Sequence, residues 1–333
     1  MPNGGPSIVI SGTGSHYPDS IVTNDDLARR VDTSDEWIQT RTGIRERRIA
    51  LNGTECSDMA SIAGERALAD AGLKPEDIDA VIVGTLSPDM IFPATACLTQ
   101  RKLGLRHNIP AFDVSAACSG FLYALEVGTH LLHGPQYRNA LIIGAEKISS
   151  VLDWQDRATC VLFGDGAGAA VLSRREEPGI GVMGSMLGAD GDNAPLLSMP
   201  GGGSARPASV ESIAARQHFL KMNGRELFKL AVRVMQESAS AILERHGLTT
   251  DDVACVIPHQ ANIRIIEAVA QRLHLPMDRF FINLDRFGNT SAASIPLALD
   301  EALHAGRIQS GDYVLFVAFG AGLTWGATLV KWQ

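Results

Sequence analysis

The chain has 333 residues, 45% hydrophobic and 20% charged, enough for a large core and too long for one small domain. Its net charge of −8 argues against a nucleic-acid partner. The five cysteines, an odd count with no CxxC, do not read as a disulfide framework or a zinc site; they fit a reducing cytoplasm, and no metal is expected.

The first residues, MPNGGPSIVISGTG, lack a basic segment followed by a long apolar run, so no signal peptide is expected. No stretch approaches the roughly 20 apolar residues of a membrane span, so no membrane partner is expected. Ser7–Ser11 reads as a strand ending at Gly12-Thr13-Gly14, and Thr23 or Asn24 caps a short helix over 25–31. Asp35–Arg48 (DEWIQTRTGIRERR) mixes one Trp with Arg and polar residues. Ser57 caps a helix that Gly72 stops; a strand follows over Ile78–Thr85, then a helix over Thr95–Leu103.

Ile109–Glu126 (IPAFDVSAACSGFLYALE) reads as a buried strand, a turn of small residues and a buried helix, with Cys118 at the helix start. Unpaired N–H groups and the helix dipole there favour a thiolate, and small neighbours admit another molecule to the sulfur. The other reading is a buried structural cysteine. Strands alternating with helices make the chain an α/β protein.

The second half repeats the first. Gly72-Leu73 followed by Ile78–Ile82 recurs as Gly247-Leu248 followed by Val253–Ile257, 175 residues on; Ser115–Cys118 recurs as Ser291–Ser294, 176 residues on. A duplicated α/β unit is expected, with halves at 1–175 and 176–333, and Ser294 in the place of Cys118. Residues 188–210 read as a long Gly/Pro/Ala-rich loop, functional or mobile. Arg225, Lys229 and Arg233 form one basic stripe on the following helix.

His259 follows a strand end, where ligands of open α/β sheets bind, although a lone His more often fills a structural role. Asn289 sits in a turn and by spacing alone reads as a cap. Gly320-Ala321-Gly322 suits either an oxyanion site or a plain hairpin turn. Gly12-Thr13-Gly14 fails as GxGxxG, Gly164-Asp165-Gly166 precedes a strand-like run, and His130 and His133 lack a third ligand.

With Cys118, His259 and Asn289 in hand, the chain resembles the β-ketoacyl-acyl carrier protein synthase III family of the thiolase superfamily. The motifs are DEWIQTRTGIRERR, FDVSAACSGF, LFGDGAGAAVL, PHQANIRII, GNTSAAS and AFGAGLTWG. The resemblance implies a five-layered α-β-α-β-α duplication. It implies decarboxylative condensation of a short acyl-CoA with malonyl-acyl carrier protein, with no cofactor. Cys118 matches the nucleophile, and His259 and Asn289 match the donors to the malonyl thioester. The backbone N–H groups of Cys118 and Ala321 match the oxyanion hole. Trp37 and Arg157 match the pair that sandwiches the CoA adenine; Arg41, Thr42, Gly224 and Asn262 match the CoA channel. Phe319 matches an aromatic beside the nucleophile. Phe92 matches the residue that crosses from a partner subunit into the primer pocket, which implies a homodimer. Lys229, Arg264 and Arg272 match the carrier-protein patch. The alternatives are a related acyltransferase or condensing enzyme of secondary metabolism, and an inactive carrier-protein-binding scaffold.

Overall fold

The computed structural model describes residues 6–333. In chain order the elements that build the fold are β1 (Ser7–His16), α1 (Asp35–Thr42), α2 (Cys56–Ala71), β2 (Ala80–Gly84), α3 (Thr95–Lys102), β3 (Ala111–Val114), α4 (Gly120–His133), β4 (Asn139–Glu146), β5 (Gly166–Arg175), β6 (Gly181–Ala189), α5 (Gly224–Arg245), β7 (Val253–Pro258), α6 (Ile263–Leu273), α7 (Ser294–His304), β8 (Tyr313–Gly320) and β9 (Thr324–Lys331). Among the described residues, no helix is long and apolar enough to cross a membrane.

One sheet has the order β1-β5-β4-β2-β3 and the other β6-β9-β8-β7. The pairings match in direction as well as order. β4 and β2 are parallel, as are β8 and β7, while β1–β5, β5–β4, β6–β9 and β9–β8 are antiparallel. In the second sheet the place of β3 is taken by a single parallel bridge from Val256 to Phe280.

The two sheets face each other across α4 and α7. Phe121, Leu122 and Leu125 of α4 and Ile295, Ala298 and Leu299 of α7 share one buried cluster with Ile82 and Ile142 of the first sheet and Ile257 and Phe316 of the second. Alanines of α2 cover the outer face of the first sheet, while α5 and α6 cover that of the second. The result is a five-layered α-β-α-β-α fold, as expected. Helices packed between two sheets are largely apolar, and the acidic residues of α4 and α7 are confined to Glu126 in one and Asp300 and Glu301 in the other.

Several elements differ from the sequence reading. β1 does not stop at Ser11 but runs through Gly12 and Gly14. A Cβ at Gly12 would lie 2.7 Å from Ala67 O, and one at Gly14 2.7 Å from Arg66 Cβ. These glycines let α2 lie directly on the strand, so they are packing residues and not a turn. Ser57 does not cap α2: Glu55 precedes the helix, and Ser57 N and Oγ donate instead to Asp89 at 2.9 and 2.5 Å. β3 is half-buried rather than buried because it is an edge strand, paired among the described residues only with β2.

Asp35–Arg48 is structured. It forms α1 and a short strand, Glu46–Arg48, paired with Ile21–Thr23. Arg47 is fully buried, donating to Asn24 Oδ1 at 2.8 Å and Val161 O at 2.8 Å. The 188–210 segment is also more ordered than a loop. A turn over Gly191–Leu196 leads into Leu197–Ser198, which pairs with Lys221–Met222, and Val210–Ala214 is a short helix. Asp153 pins its far side through Arg216, whose Nε lies 2.8 Å from Oδ2; that hydrogen bond holds the Asp153 carboxyl down at about 2.

Candidate active site

Cys118 lies in a 3₁₀ turn, Ala117–Ser119, that leads into α4, and it is 6% exposed. The turn is wedged against the end of β8. A Cβ on Gly320 would come within 2.7 Å of Cys118 N and 3.1 Å of Cys118 Cβ, so only glycine lets the strand approach the nucleophile. The rim is fixed by Thr324, whose Oγ1 donates to Ala116 O at 2.8 Å and reaches Ala321 O at 3.0 Å.

The expected thiolate is not what this environment favours. Burial pushes the Cys118 thiol up to about 12, against the opposing hydrogen bond with Ser291. A helix terminus contributes up to about 2 kcal/mol, roughly 1.5 pKa units, whereas full burial shifts a thiol by up to about 3–5 units. Burial wins, so the proton must leave as the sulfur reacts.

His259 follows β7 and is held there by its N–H, which donates to Val317 O of β8 at 2.7 Å. The residue is 3% exposed, and Nδ1 lies 2.6 Å from Ser294 Oγ at the start of α7. Burial lowers its pKa to about 3, so the imidazole is neutral. Asn289 is fixed by main-chain bonds to both sides of Phe163: its N donates to Leu162 O at 2.8 Å, and its O accepts from Gly164 N at 3.0 Å. Its Oδ1 accepts Ser291 N at 2.8 Å. That bond orients the amide and leaves Nδ2, which has no hydrogen-bond partner among the described residues, as a donor.

The equivalence between the halves differs from the expected one. Ala117 and Ser291 both have a left-handed backbone, φ 46° and 50°, and each opens a 3₁₀ turn that leads into a central helix. Cys118 therefore corresponds to Ala292, and Ser294 to Gly120. The packing agrees: a Cβ on Gly144 of β4 would strike Ala292 O, as one on Gly320 of β8 would strike Cys118 N. The two turns meet at the junction of the halves.

Trp37 lies on α1 with the Arg157 guanidinium 4.9 Å from its ring centroid and that of Arg41 at 5.7 Å. Arg157 also donates to Asp32 O at 2.6 Å. Asn262 caps α6 through Oδ1 and donates from Nδ2 to Arg41 O at 3.1 Å, which ties α6 to the end of α1. Thr42 is buried, and its one hydroxyl proton is spent on Ile38 O at 2.6 Å. Gly224 is exposed at the start of α5. Phe319 is buried next to Gly320 in β8. Ala321 follows in the β8–β9 turn, half-buried. Lys229, Arg264 and Arg272 are all exposed on α5 and α6, which pack together. Phe92 stands apart, 82% exposed on a loop tip with Ile91.

Sequence reasoning did not assign Ser291, Ser294, Thr324 or Glu146. The small-residue motif GNTSAAS did flag both serines, but only the fold says which one faces His259 and which faces Cys118.

Two family models match the chain: 3-oxoacyl-[acyl-carrier-protein] synthase III over residues 112–191 and its C-terminal counterpart over 243–332. The β-ketoacyl-[acyl-carrier-protein] synthase III of Caldanaerobacter subterraneus subsp. tengcongensis is 55% identical over 324 residues, 97% of each chain. The enzyme of the same name from Desulfitobacterium hafniense strain Y51 is 52% identical over 98% of each. Among solved structures, 3-oxoacyl-[acyl-carrier-protein] synthase III of Aquifex aeolicus VF5 superposes with a TM-score of 0.89 at 47% identity, covering 98% of this chain and 100% of that one. The priming β-ketosynthase of the R1128 polyketide pathway gives 0.91 at 33% identity, covering 100% and 98%. The chain belongs to the β-ketoacyl-[acyl-carrier-protein] synthase III family.

Proposed function

We propose that this enzyme condenses a short acyl-CoA, acetyl-CoA foremost, with malonyl-acyl carrier protein, and so starts fatty-acid synthesis. The observation that carries the reading is that Asn289 and His259, both buried, bond to Ser291 and Ser294, which bracket the turn that packs against the turn of buried Cys118. Cys118 Sγ attacks the acyl-CoA carbonyl while the N–H groups of Cys118 and Ala321 take up the oxyanion charge. CoA leaves, and malonyl-carrier protein enters. Loss of CO2 produces an enolate whose oxygen is met by His259 Nε2–H and Asn289 Nδ2–H. The enolate attacks the acyl-cysteine and frees the sulfur. The reading uses no cofactor, since CoA arrives as substrate and each developing charge has a protein donor.

CoA binding is assigned to the face where Trp37, Arg41 and Arg157 cluster, with Thr42, Gly224 and Asn262 along the way inward. The acidic carrier protein is assigned to Lys229, Arg264 and Arg272. A homodimer is inferred from two features. Met90, Ile91 and Phe92 form an exposed apolar tip, and β3 has an open edge. A cytoplasmic location follows from the free cysteines and from a carrier-protein partner. The identities favour the fatty-acid enzymes, at 55% and 52%, over the polyketide priming enzyme, at 33%.

Incubation with acetyl-CoA should add one acetyl group per subunit, mapped to Cys118 by mass spectrometry. Label on Cys56, Cys97, Cys160 or Cys255, with Cys118 free, would overturn the assignment.

A further inference from the structure

Behind Cys118 lies a carboxylate that the condensation chemistry leaves unused. Glu146, at the end of β4, is fully buried. Its Oε2 accepts Ser87 Oγ at 2.5 Å, Ser87 N at 3.1 Å and Thr85 Oγ1 at 3.2 Å. Leu86 N reaches Oε1 and Oε2 at 3.2 and 3.1 Å. Ser291 Oγ donates to Oε1 at 3.0 Å. Ser291 opens the 3₁₀ turn that packs against the turn carrying Cys118, and its hydroxyl opposes the upward push of burial on the Cys118 thiol. A hydroxyl that donates to a carboxylate has lone pairs left to accept an S–H, so Ser291 Oγ can pass a proton between the sulfur and the carboxylate.

Ser291 reaches this position through a left-handed backbone, φ 50°, which costs a non-glycine residue on the order of 1–3 kcal/mol and is retained mainly at functional sites. We propose that Glu146 takes the Cys118 proton through Ser291 Oγ as the acyl group is loaded, and returns it when condensation frees the sulfur.

The steps balance. In loading, the Cys118 S–H proton passes to Ser291 Oγ while the Ser291 proton passes to Glu146. The S–acyl bond forms, the acyl–CoA bond breaks, and CoA leaves as a thiolate that takes a proton from solvent. In condensation, the enolate–acyl carbon bond forms, the S–acyl bond breaks, and the Cys118 thiolate recovers its proton from Glu146 by the reverse path. The cycle consumes one solvent proton, as the loss of CO2 from a carboxylate requires.

Of the buried groups near the sulfur, Glu146 is the stronger base: burial raises its carboxyl to about 7, whereas it lowers His259 to about 3. The titratable groups that face Glu146 are the Cys118 and Cys56 thiols, both kept neutral by burial. Lys147, next in the chain, turns its amine to Thr54 O at 2.5 Å.

This relay rests on Cys118 being the acylated residue. The test is single-turnover acetyl loading from about pH 5 to about pH 9 in wild type, Ser291→Ala and Ser291→Thr, since a relayed general base is worth on the order of 10²–10⁴ in rate. Wild-type loading should fall as pH drops below about 7, where the carboxyl takes its proton. Ser291→Ala should load at least about 10-fold more slowly and lose that inflection, and Ser291→Thr should restore both. Infrared difference spectra of acetylated minus free wild type should show a new protonated-carboxyl stretch that shifts with ¹³C-glutamate. A fully acetylated wild type without that band overturns the relay whatever the variants do, and so does a Ser291→Ala enzyme with the wild-type rate and pH profile. A wild type that takes no acetyl on Cys118 overturns the nucleophile itself, an outcome that intact mass distinguishes from the other two.

Discussion

His259 Nδ1 lies 2.6 Å from Ser294 Oγ, in a site closed to solvent. Ser294 Oγ also accepts Gln260 N–H at 3.4 Å, which leaves its own proton free to be donated to Nδ1. With that proton donated, the neutral ring carries its hydrogen on Nε2, as a donor to the enolate must. His259→Ala and Asn289→Ala each remove one enolate donor and should cut malonyl decarboxylation by about 10²–10³. Acyl transfer onto Cys118 should survive better in Asn289→Ala. Ser294→Ala should cost decarboxylation about 10-fold, and Ser294→Thr should recover it. Measured separately, equal loss of both half-reactions in Asn289→Ala would count against its role.

The buried imidazole also sets a pH dependence of stability. The folded pKa of His259 is about 3, against 6.5 for an imidazole in water, so between these values the unfolded chain binds a proton that the native chain refuses. The contribution is fully present above 6.5 and is lost as pH falls toward 3, at no more than about 1.4 kcal/mol per pH unit. His259→Gln should flatten the acid limb of Tm against pH. An unchanged limb in that variant would mean that the native ring takes up its proton at an ordinary pKa.

The carrier-protein patch makes an electrostatic prediction. Lys229 and Arg264 are exposed, and among the described residues the Lys229 amine pairs only with Glu226, at 3.4 Å. Charge reversal at either should weaken condensation with malonyl-carrier protein and leave acetyl-CoA loading nearly unchanged. The effect should shrink with added salt, because exposed charges are screened beyond about 8 Å at physiological ionic strength. An effect confined to loading would refute the assignment.

Phe92 is 82% exposed, although the loop that carries it is anchored by the Asp89–Ser57 bonds. Burying such a ring is worth about 1.5–3 kcal/mol, which a partner subunit would supply. As the floor of the partner's primer site it should restrict the enzyme to short acyl groups. Phe92→Thr should raise kcat/KM for octanoyl-CoA relative to acetyl-CoA without abolishing the dimer. If that ratio does not move, or if wild type already prefers octanoyl-CoA, some other wall sets the length.

Periodicity and turn residues were enough to read an α/β protein with a repeated unit, because central helices and sheet strands packed on both sides are largely apolar along their length. The same local chemistry marked Cys118 and His259 as candidates and left Asn289 as a cap, and the motif resemblance gave each a role. Local sequence could not register the two copies. Aligning identical letters paired Cys118 with Ser294, whereas the backbone pairs it with Ala292, because the left-handed turn at Ala117 and Ser291 fixes the start of each central helix. Nor could it say whether Gly12 and Gly14 make a turn or a helix seat, since that depends on what lies 2.7 Å away. The protonation of Cys118 was decided by tertiary structure as well. A helix start alone argues for a thiolate, but the layers that close over the sulfur remove the water that would solvate it, and desolvation outweighs the dipole.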